Sequence, residues 1–355
     1  MKIVVIPGDG IGPEIVAATR RVLDLANARF ALGLEFETHE VGFATLKSEG
    51  TTFPPRVLER CRAAEGIVLG PVSHSDYPPK AEGGVNPSGT LRIELDLYAN
   101  VRPSRTREGM RHWGRTGMDL VIVRENTEGF YADRNMHQGI GEFMPTPDVA
   151  LAVRKITSRA SERIARTAFR LAGKRRKKVT AVHKANVMRV SDGLFLREVR
   201  KVAAEFPQVI YEEQLVDSMA ALLVRDAARF DVVVTTNMYG DILSDEAAEI
   251  SGGLGLAGSI NASDTHCMAQ AQHGSAPDIA GKDKANPSSL ILSAAMLLEW
   301  LAIRHGNDAF ARARHQIEDA LDTVLMDPRR HTADLGGTLG TRAFTDALCS
   351  QMALV

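Results

Sequence analysis

Short runs of β-branched and aliphatic residues recur along the chain, separated by longer stretches in which apolar positions return every three or four residues. Ile3–Ile6, Gly66–Leu69, Leu120–Val123, Val179–Val182 and Val232–Thr236 read as mostly buried strands, because their apolar character is continuous rather than alternating. Pro13–Ala28, Ser158–Leu171, Ser191–Ala204 and Ser288–His305 carry the helical period. Strand and helix therefore alternate, which predicts an α/β architecture with a substantial parallel sheet. No internal repeat is evident. Two turn-rich segments, Gly70–Gly89 and Gly252–Pro287, interrupt the pattern. Backbone that must approach a ligand closely favours Gly and Pro, so these are the expected ligand loops.

Composition narrows the class of function. At 355 residues, 44% hydrophobic and 25% charged, the chain has material for a large core divided between two lobes. A net charge of -1 supplies no electrostatic drive toward nucleic acid or an anionic membrane, and small-molecule chemistry is the better expectation. The basic run Gly173–Lys178 falls between a helix and a strand, where a solvated turn is its ordinary role. Cys61, Cys267 and Cys349 are odd in number, far apart and free of CxxC spacing, which argues against a disulfide framework or structural zinc. The N-terminus runs as a strand into a glycine turn rather than as a leader, and no apolar run approaches the roughly 18 to 20 residues of a membrane span. A cytoplasmic protein is expected.

Gly8-Asp9-Gly10-Ile11-Gly12-Pro13-Glu14 invites a dinucleotide reading but fails it, since Pro13 stands where the Rossmann fingerprint needs glycine. Helix initiation explains Gly12 and Pro13. Further along, Asp231–Thr236 reads as strand, Asn237–Gly240 as turn, and Asp241 onward as helix. Asp241 and Asp245, at i and i+4, then share one helix face, where two carboxylates can bridge a hard divalent cation. Spacing alone leaves helix capping equally open. Arg92 and Arg102 flank a mostly apolar stretch, and Arg124 follows a strand. Arginines so placed offer bidentate recognition to a substrate with two or three carboxylates, with local ion pairs the alternative for each one. Lys184, at a strand end, and Tyr131 are acid–base candidates, each also explicable as a surface charge or a core phenol.

Taken together, Ile6–Glu14, Leu95–Pro103, Val123–Gly129, His183–Val187, Gly240–Asp245, His273–Lys282 and Asp334–Gly337 resemble, in order and over nearly the whole chain, the isocitrate/3-isopropylmalate dehydrogenase family of β-decarboxylating dehydrogenases. The resemblance implies a two-domain α/β fold distinct from Rossmann. Residues 1–99 and 255–355 would form a large cofactor-binding domain and residues 100–254 a smaller one. It implies a homodimer with shared active sites, in which Lys184 and Asp217 serve the neighbouring subunit. By resemblance, Arg92, Arg102 and Arg124 bind substrate carboxylates, and Asp217, Asp241 and Asp245 hold Mg2+ or Mn2+. Lys184 is then the base for the C2 hydroxyl and Tyr131 the acid that protonates the carbon left by decarboxylation. The substrate class implied is a (2R)-2-hydroxy di- or tricarboxylic acid with a carboxylate on C3. His273, Gly274, Ala276, Asp278 and Asn286 would line the adenosine, with Asn186 at the nicotinamide ribose. Asp278-Ile279 stands where NADP-using relatives have Lys-Tyr, so NAD is expected.

Two departures matter. Before Arg92, the sequence Asn86-Pro87-Ser88-Gly89 lacks the apolar pair that would cradle an isopropyl group, so Asn86 and Ser88 suggest a polar, isocitrate-like pocket. Homoisocitrate, 3-isopropylmalate and D-malate or tartrate stay open as alternatives, as does a non-catalytic regulatory subunit. Gln270 replaces a glutamate usual three residues before His273.

Overall fold

A computed structural model describes residues 1–131, 136 and 138–354 of the chain. The strands are β1 (Lys2–Ile6), β2 (Glu35–Thr38), β3 (Gly66–Leu69), β4 (Ala99–Arg105), β5 (Asp119–Glu125), β6 (Glu142–Thr146), β7 (Val149–Ala152), β8 (Lys178–His183), β9 (Ile210–Leu215), β10 (Val232–Thr235), β11 (Ile260–Ala262) and β12 (Cys267–Gln270). The helices are α1 (Gly12–Phe30), α2 (Phe43–Glu49), α3 (Pro55–Arg62), α4 (Pro87–Glu94), α5 (Ser158–Gly173), α6 (Ser191–Ala204), α7 (Val216–Asp226), α8 (Asn237–Ser251), α9 (Ser288–His305), α10 (Asp308–Leu325) and α11 (Thr341–Leu354). Every strand and helix predicted from apolar period is present. The architecture is α/β and not Rossmann.

Ten strands form one sheet in the order β2-β1-β3-β12-β11-β4-β5-β10-β8-β9. It is mixed but mainly parallel, as expected, with six parallel pairings and three antiparallel ones. β2, β1, β3 and β12 form one parallel block and β5, β10, β8 and β9 a second. Between them β11 runs antiparallel to β12 and β4, and β4 antiparallel to β5. Those three reversals make the two blocks run in opposite directions. Helices cover both faces of each block, which is why its inner strands β1, β3, β8 and β10 are largely apolar on both sides, while the edge strands β2 and β9 are more polar and exposed. α1, α9, α10 and α11 pack one face of the first block, and residues of α3 and α4 the other. In the second block α5 and α6 take one face and α7 and α8 the other.

The central strands behave differently. Asn100, Arg102 and Ser104 of β4 are buried, while Val101, Pro103 and Arg105 between them are less so. In the cross-strand register Met268, Asn261, Asn100, Arg124 and Thr235 form one row across β12, β11, β4, β5 and β10. Neighbours in such a row share a face of the sheet, so the pleat gathers polar side chains where the two blocks meet.

The glycine turn after β1 has a structural task. Its Asp9 and Ile11 N–H groups donate to the carbonyls of Pro71 and Ser275, each at 2.8 Å. Asp9 itself is buried and accepts from Phe43 N at 2.9 Å, Ser73 N at 3.0 Å and the Tyr77 hydroxyl. These bonds tie both turn-rich segments to the end of β1. Gly10 has φ of 60°, and a Cβ there would lie 2.0 Å from Ser275 O. Gly10→Ala should therefore cost at least about 2 kcal/mol, from left-handed backbone plus a clash with a fixed carbonyl. Urea titration followed by circular dichroism would check this, and an unchanged midpoint would contradict it.

Candidate active site

α8 begins at Asn237, so the segment Asn237–Gly240, expected as a turn, is the first helical turn. Thr236 is the N-cap, which removes the capping role considered for Asp241. A Cβ on Gly240 would fall 2.6 Å from Arg124 Cβ and Cγ, so glycine lets the helix lie directly on β5. Asp241 and Asp245 thereby meet two arginines from the sheet. Arg124 Nη1 donates to Asp241 Oδ1 at 2.5 Å, and its Nε and Nη2 donate to Asn237. Arg102 Nη1 lies 3.1 Å from Asp245 Oδ1 and 3.4 Å from Asp241 Oδ1, and donates to Ser244 Oγ at 2.8 Å. Burial pushes the Arg102 guanidinium below its ordinary pKa, while Asp241, Asp245 and Tyr131 pull it back up. The Tyr131 ring centre lies 6.0 Å from the Arg124 guanidinium.

Arg92 reaches this region from α4. Its Nη2 lies 3.3 Å from Gln270 Oε1, which also accepts from Ser88 Oγ at 2.9 Å. Asn86, expected at the substrate, uses its side-chain oxygen to cap α4 by accepting from Gly89 N at 3.0 Å. Two residues beyond Gln270, Gln272 Nε2 donates to Asp245 Oδ1 at 2.8 Å. The end of β12 thus links the Arg92 group to the Arg102–Arg124 group. Arg102 Nε and Gln272 Oε1 are buried without a hydrogen-bond partner among the described residues. Such unmet polar groups suit a charged, multidentate ligand.

Lys184 and Asp217 form a second centre. Lys184 follows β8, Asp217 opens α7, and Lys184 Nζ donates to Asp217 Oδ1 at 2.6 Å. Hydrogen bonding to Lys184 holds the Asp217 carboxyl below the usual range. Fully buried Asp192 fixes the backbone here, accepting from Lys184 N at 2.6 Å and from Arg154. Arg154 also donates to Thr236 Oγ1 at 2.9 Å, so the ends of β8 and β10 are braced together. Asn186 is exposed two residues past Lys184. Among the described residues, no three His, Cys, Asp or Glu side chains converge as a metal cluster. Asp241 and Asp245 are together, and Asp217 is with Lys184 instead.

The loop 273–286 carries the remaining candidates. His273 Nδ1 lies 3.0 Å from Gly274 O, so Nδ1 must be the protonated nitrogen, since a carbonyl only accepts. Burial lowers the His273 pKa, and Nε2 is buried without a partner among the described residues. Gly274 is exposed with open space beside it, and Ala276 sits in the left-handed region at φ 39°. Asp278 is exposed and makes no ion pair among the described residues; Lys282 Nζ bonds its backbone oxygen instead. Buried Asn286 donates to Asp334 Oδ2 at 2.9 Å and accepts from Ser288 N. Asp192, Arg154, Ser244, Asn237 and Gln272 were not foreseen. Each is defined by a partner distant in sequence, and none lies in a distinctive spacing.

The family model of the isocitrate/isopropylmalate dehydrogenases matches residues 2–348. The isocitrate/homoisocitrate dehydrogenase of Thermus thermophilus is 44% identical over 348 residues, 98% of this chain and 97% of that one. The 3-isopropylmalate dehydrogenase of Archaeoglobus fulgidus is 41% identical over 350 residues, 98% of each. The crystal structure of isocitrate dehydrogenase from Methylococcus capsulatus aligns with a TM-score of 0.87 at 38% identity, covering 99% of both chains. On a match that spans nearly the whole sequence, this chain belongs to the isocitrate/isopropylmalate dehydrogenase family and is an oxidoreductase of that family.

Proposed function

We propose that this chain carries out the NAD-dependent, divalent-metal-dependent oxidation of a (2R)-2-hydroxy acid bearing a carboxylate on C3, followed by loss of that carboxylate as carbon dioxide. The observation that carries this reading is the meeting of Arg102 and Arg124 with Asp241 and Asp245, next to Arg92 and its polar neighbours Ser88 and Gln270. Guanidinium groups on the sheet suit substrate carboxylates, and the aspartates on α8 give the all-oxygen donor set that Mg2+ or Mn2+ prefers. When bound, the cation supplies Lewis-acid stabilisation of negative charge on the C2 oxygen and NAD supplies the hydride acceptor. Lys184 takes the proton of the C2 hydroxyl as hydride leaves C2. Arg92, Arg102 and Arg124 hold the carboxylates so that the C3 carboxylate can depart next to the new ketone. Tyr131 then gives its proton to C3.

Lys184 and Asp217 act in the site of a second copy. This reading is favoured by their pairing apart from Asp241 and Asp245, and by the apolar surface of the β6–β7 hairpin, where Phe143, Met144 and Leu151 are exposed. Ser88 and Gln270 give the side-group pocket a polar wall, which favours an isocitrate-like acid. For the cofactor, His273 Nε2 is an acceptor suited to the adenine amine, and Asn286 with Gly274 and Ala276 forms its surroundings. Asp278 suits ribose hydroxyls and repels a 2′-phosphate.

NADH formation with isocitrate, homoisocitrate, 3-isopropylmalate, D-malate and tartrate, each with manganese, tests the substrate: isocitrate should give the highest kcat/KM, and a maximum with 3-isopropylmalate would overturn the polar pocket. Asp245→Asn should lower kcat/KM by at least about 100-fold while thermal unfolding stays near wild type. Near-normal turnover would remove Asp245 from the metal site. Asp278→Lys combined with Ile279→Tyr should shift the NAD to NADP preference by about tenfold or more toward NADP. An unmoved preference would refute the placement of the adenosine.

A further inference from the structure

The central strands have a second face. Side chains alternate along a strand, so Asn100 and Arg102 of β4 point to the arginine cleft, and Ala99, Val101, Pro103 and Arg105 to the opposite side. The register continues that side through Val121 of β5 and Ile260 of β11. Helices leave it open. α5 stands on the second block and α9 on the first, and between them lies a cavity of about 950 Å³. Val101, Pro103, Val121 and Ile260 form its floor, with Phe169 of α5 on one wall and Leu292, Met296, Trp300 and Ile303 of α9 on the other. Its volume falls in the range of roughly 300–1,000 Å³ typical of small-molecule sites. No residue of the β6–β7 hairpin lines it. From Ala99 to Arg105 it follows β4 for about 20 Å, at about 3.3 Å per residue.

The two ends of this cavity differ in charge. At the end of β4, Arg105 faces Asp119 across the strand pair, and Arg175 bonds that aspartate. Arg105 and buried Arg107 both bond one carboxylate, that of Asp322. Burial and the charge of Arg105 push the Arg107 guanidinium down to about 9, only partly offset by Glu318. On α5, Arg170 and Lys174 lie one turn apart and add two cations with no carboxylate partner among the described residues. This end is therefore short of negative charge. At the opposite end Arg304 donates to the Asp264 carbonyl, and the Asp264 carboxylate accepts from the Tyr98 hydroxyl at 3.0 Å, so one cation meets one anion. Between the ends, Glu299 lies on α9 with Oε2 buried and without a partner among the described residues, which disfavours an anion there. An apolar channel with one basic end and an acidic wall residue midway accommodates a molecule with a single anionic head and a long apolar body.

We propose that this cavity binds a long-chain carboxylate, with its chain over Val101, Pro103 and Ile260 between α5 and α9 and its head against Arg105, Arg107 and Lys174. Trp300 lines the cavity, and in a Trp113→Phe background it is the one tryptophan of the chain. Dodecanoate, kept below its micellar concentration, should change Trp300 fluorescence saturably with one molecule bound per chain. It should bind at least about tenfold more tightly than hexanoate, which lacks chain, and than dodecyltrimethylammonium, which has the chain but the opposite charge. Val101→Phe fills the floor, and Arg170→Glu with Lys174→Glu reverses the basic end. Each should weaken dodecanoate by at least about tenfold while the circular dichroism spectrum stays that of wild type. Should Val101→Phe fail to fold, Ile303→Glu, at an exposed position of the same wall, takes its place. Equal affinity for the two twelve-carbon chains, or dodecanoate binding that neither set of substitutions weakens, would overturn the proposal. So would the absence of any fluorescence response together with a sedimentation coefficient altered by Val101→Phe, since a second copy would then cover this face.

Discussion

The site depends on one electrostatic constraint: Arg102 and Arg124 are buried in the sheet, and α8 must bring Asp241 and Asp245 to them. The buried guanidiniums need a counter-charge, and the aspartates that supply it are 35% and 50% exposed, so the pairing orients the helix without being a sealed ion pair. That pairing helps seat α8 on β4 and β5, and Gly240, where a Cβ would fall 2.6 Å from Arg124 Cβ, lets the helix approach. Among the described residues, Arg102 Nε and Gln272 Oε1 are buried without a partner, so polar capacity is left beside these pairs. The constraint therefore holds the helix while leaving polar capacity for a ligand.

Sheet topology creates the place where such charges can sit. Within each parallel block helices cover both faces, so the inner strands are mostly apolar and polar residues fall on the edge strands β2 and β9 or at strand ends. Where β11 and β4 reverse direction the blocks meet, and the row Asn261, Asn100 and Arg124 crosses the join on one face. Buried amides there find partners in one another and in the backbone: Asn126 Nδ2 donates to Asn261 Oδ1 at 3.0 Å, and Asn100 Nδ2 to Ser259 Oγ at 2.9 Å. The glycine turn after β1 contributes from outside, since its bond to Ser275 O seats the loop that follows β12.

This division explains what the sequence could and could not reveal. Continuous apolar runs such as Val179–Val182 and Val232–Thr235 identify the block strands directly, since burial on both faces leaves no other composition available. β4 and β11 carry Asn100, Arg102 and Asn261 and are short or interrupted by Pro103, so no apolar run marks them. Arg102 and Arg124 stand out as candidates in the sequence, but Asn237–Gly240 reads as a turn, whereas in the structure it is the first turn of α8, with Arg124 bonded to Asn237 O. Asn86 illustrates the opposite limit, as a polar residue before proline serves a cap as readily as a ligand. Asp192 was invisible, because its value lies in holding Lys184 N and Arg154, partners that only the fold brings near.

Charge balance joins the cleft to the acid it would accept. Arg92, Arg102 and Arg124 face two carboxylates, Asp241 and Asp245, while Lys184 and Asp217 cancel one another wherever they act. Ser88 and Gln270, which bond one another beside Arg92, are neutral. Under the proposed function, a divalent cation added to these three guanidiniums would leave the lining net positive, which suits an acid with more than one carboxylate. In a partly desolvated cleft a mismatch of charge is not diluted by bulk water, so the net charge of the lining weighs on how many carboxylates an accepted acid carries.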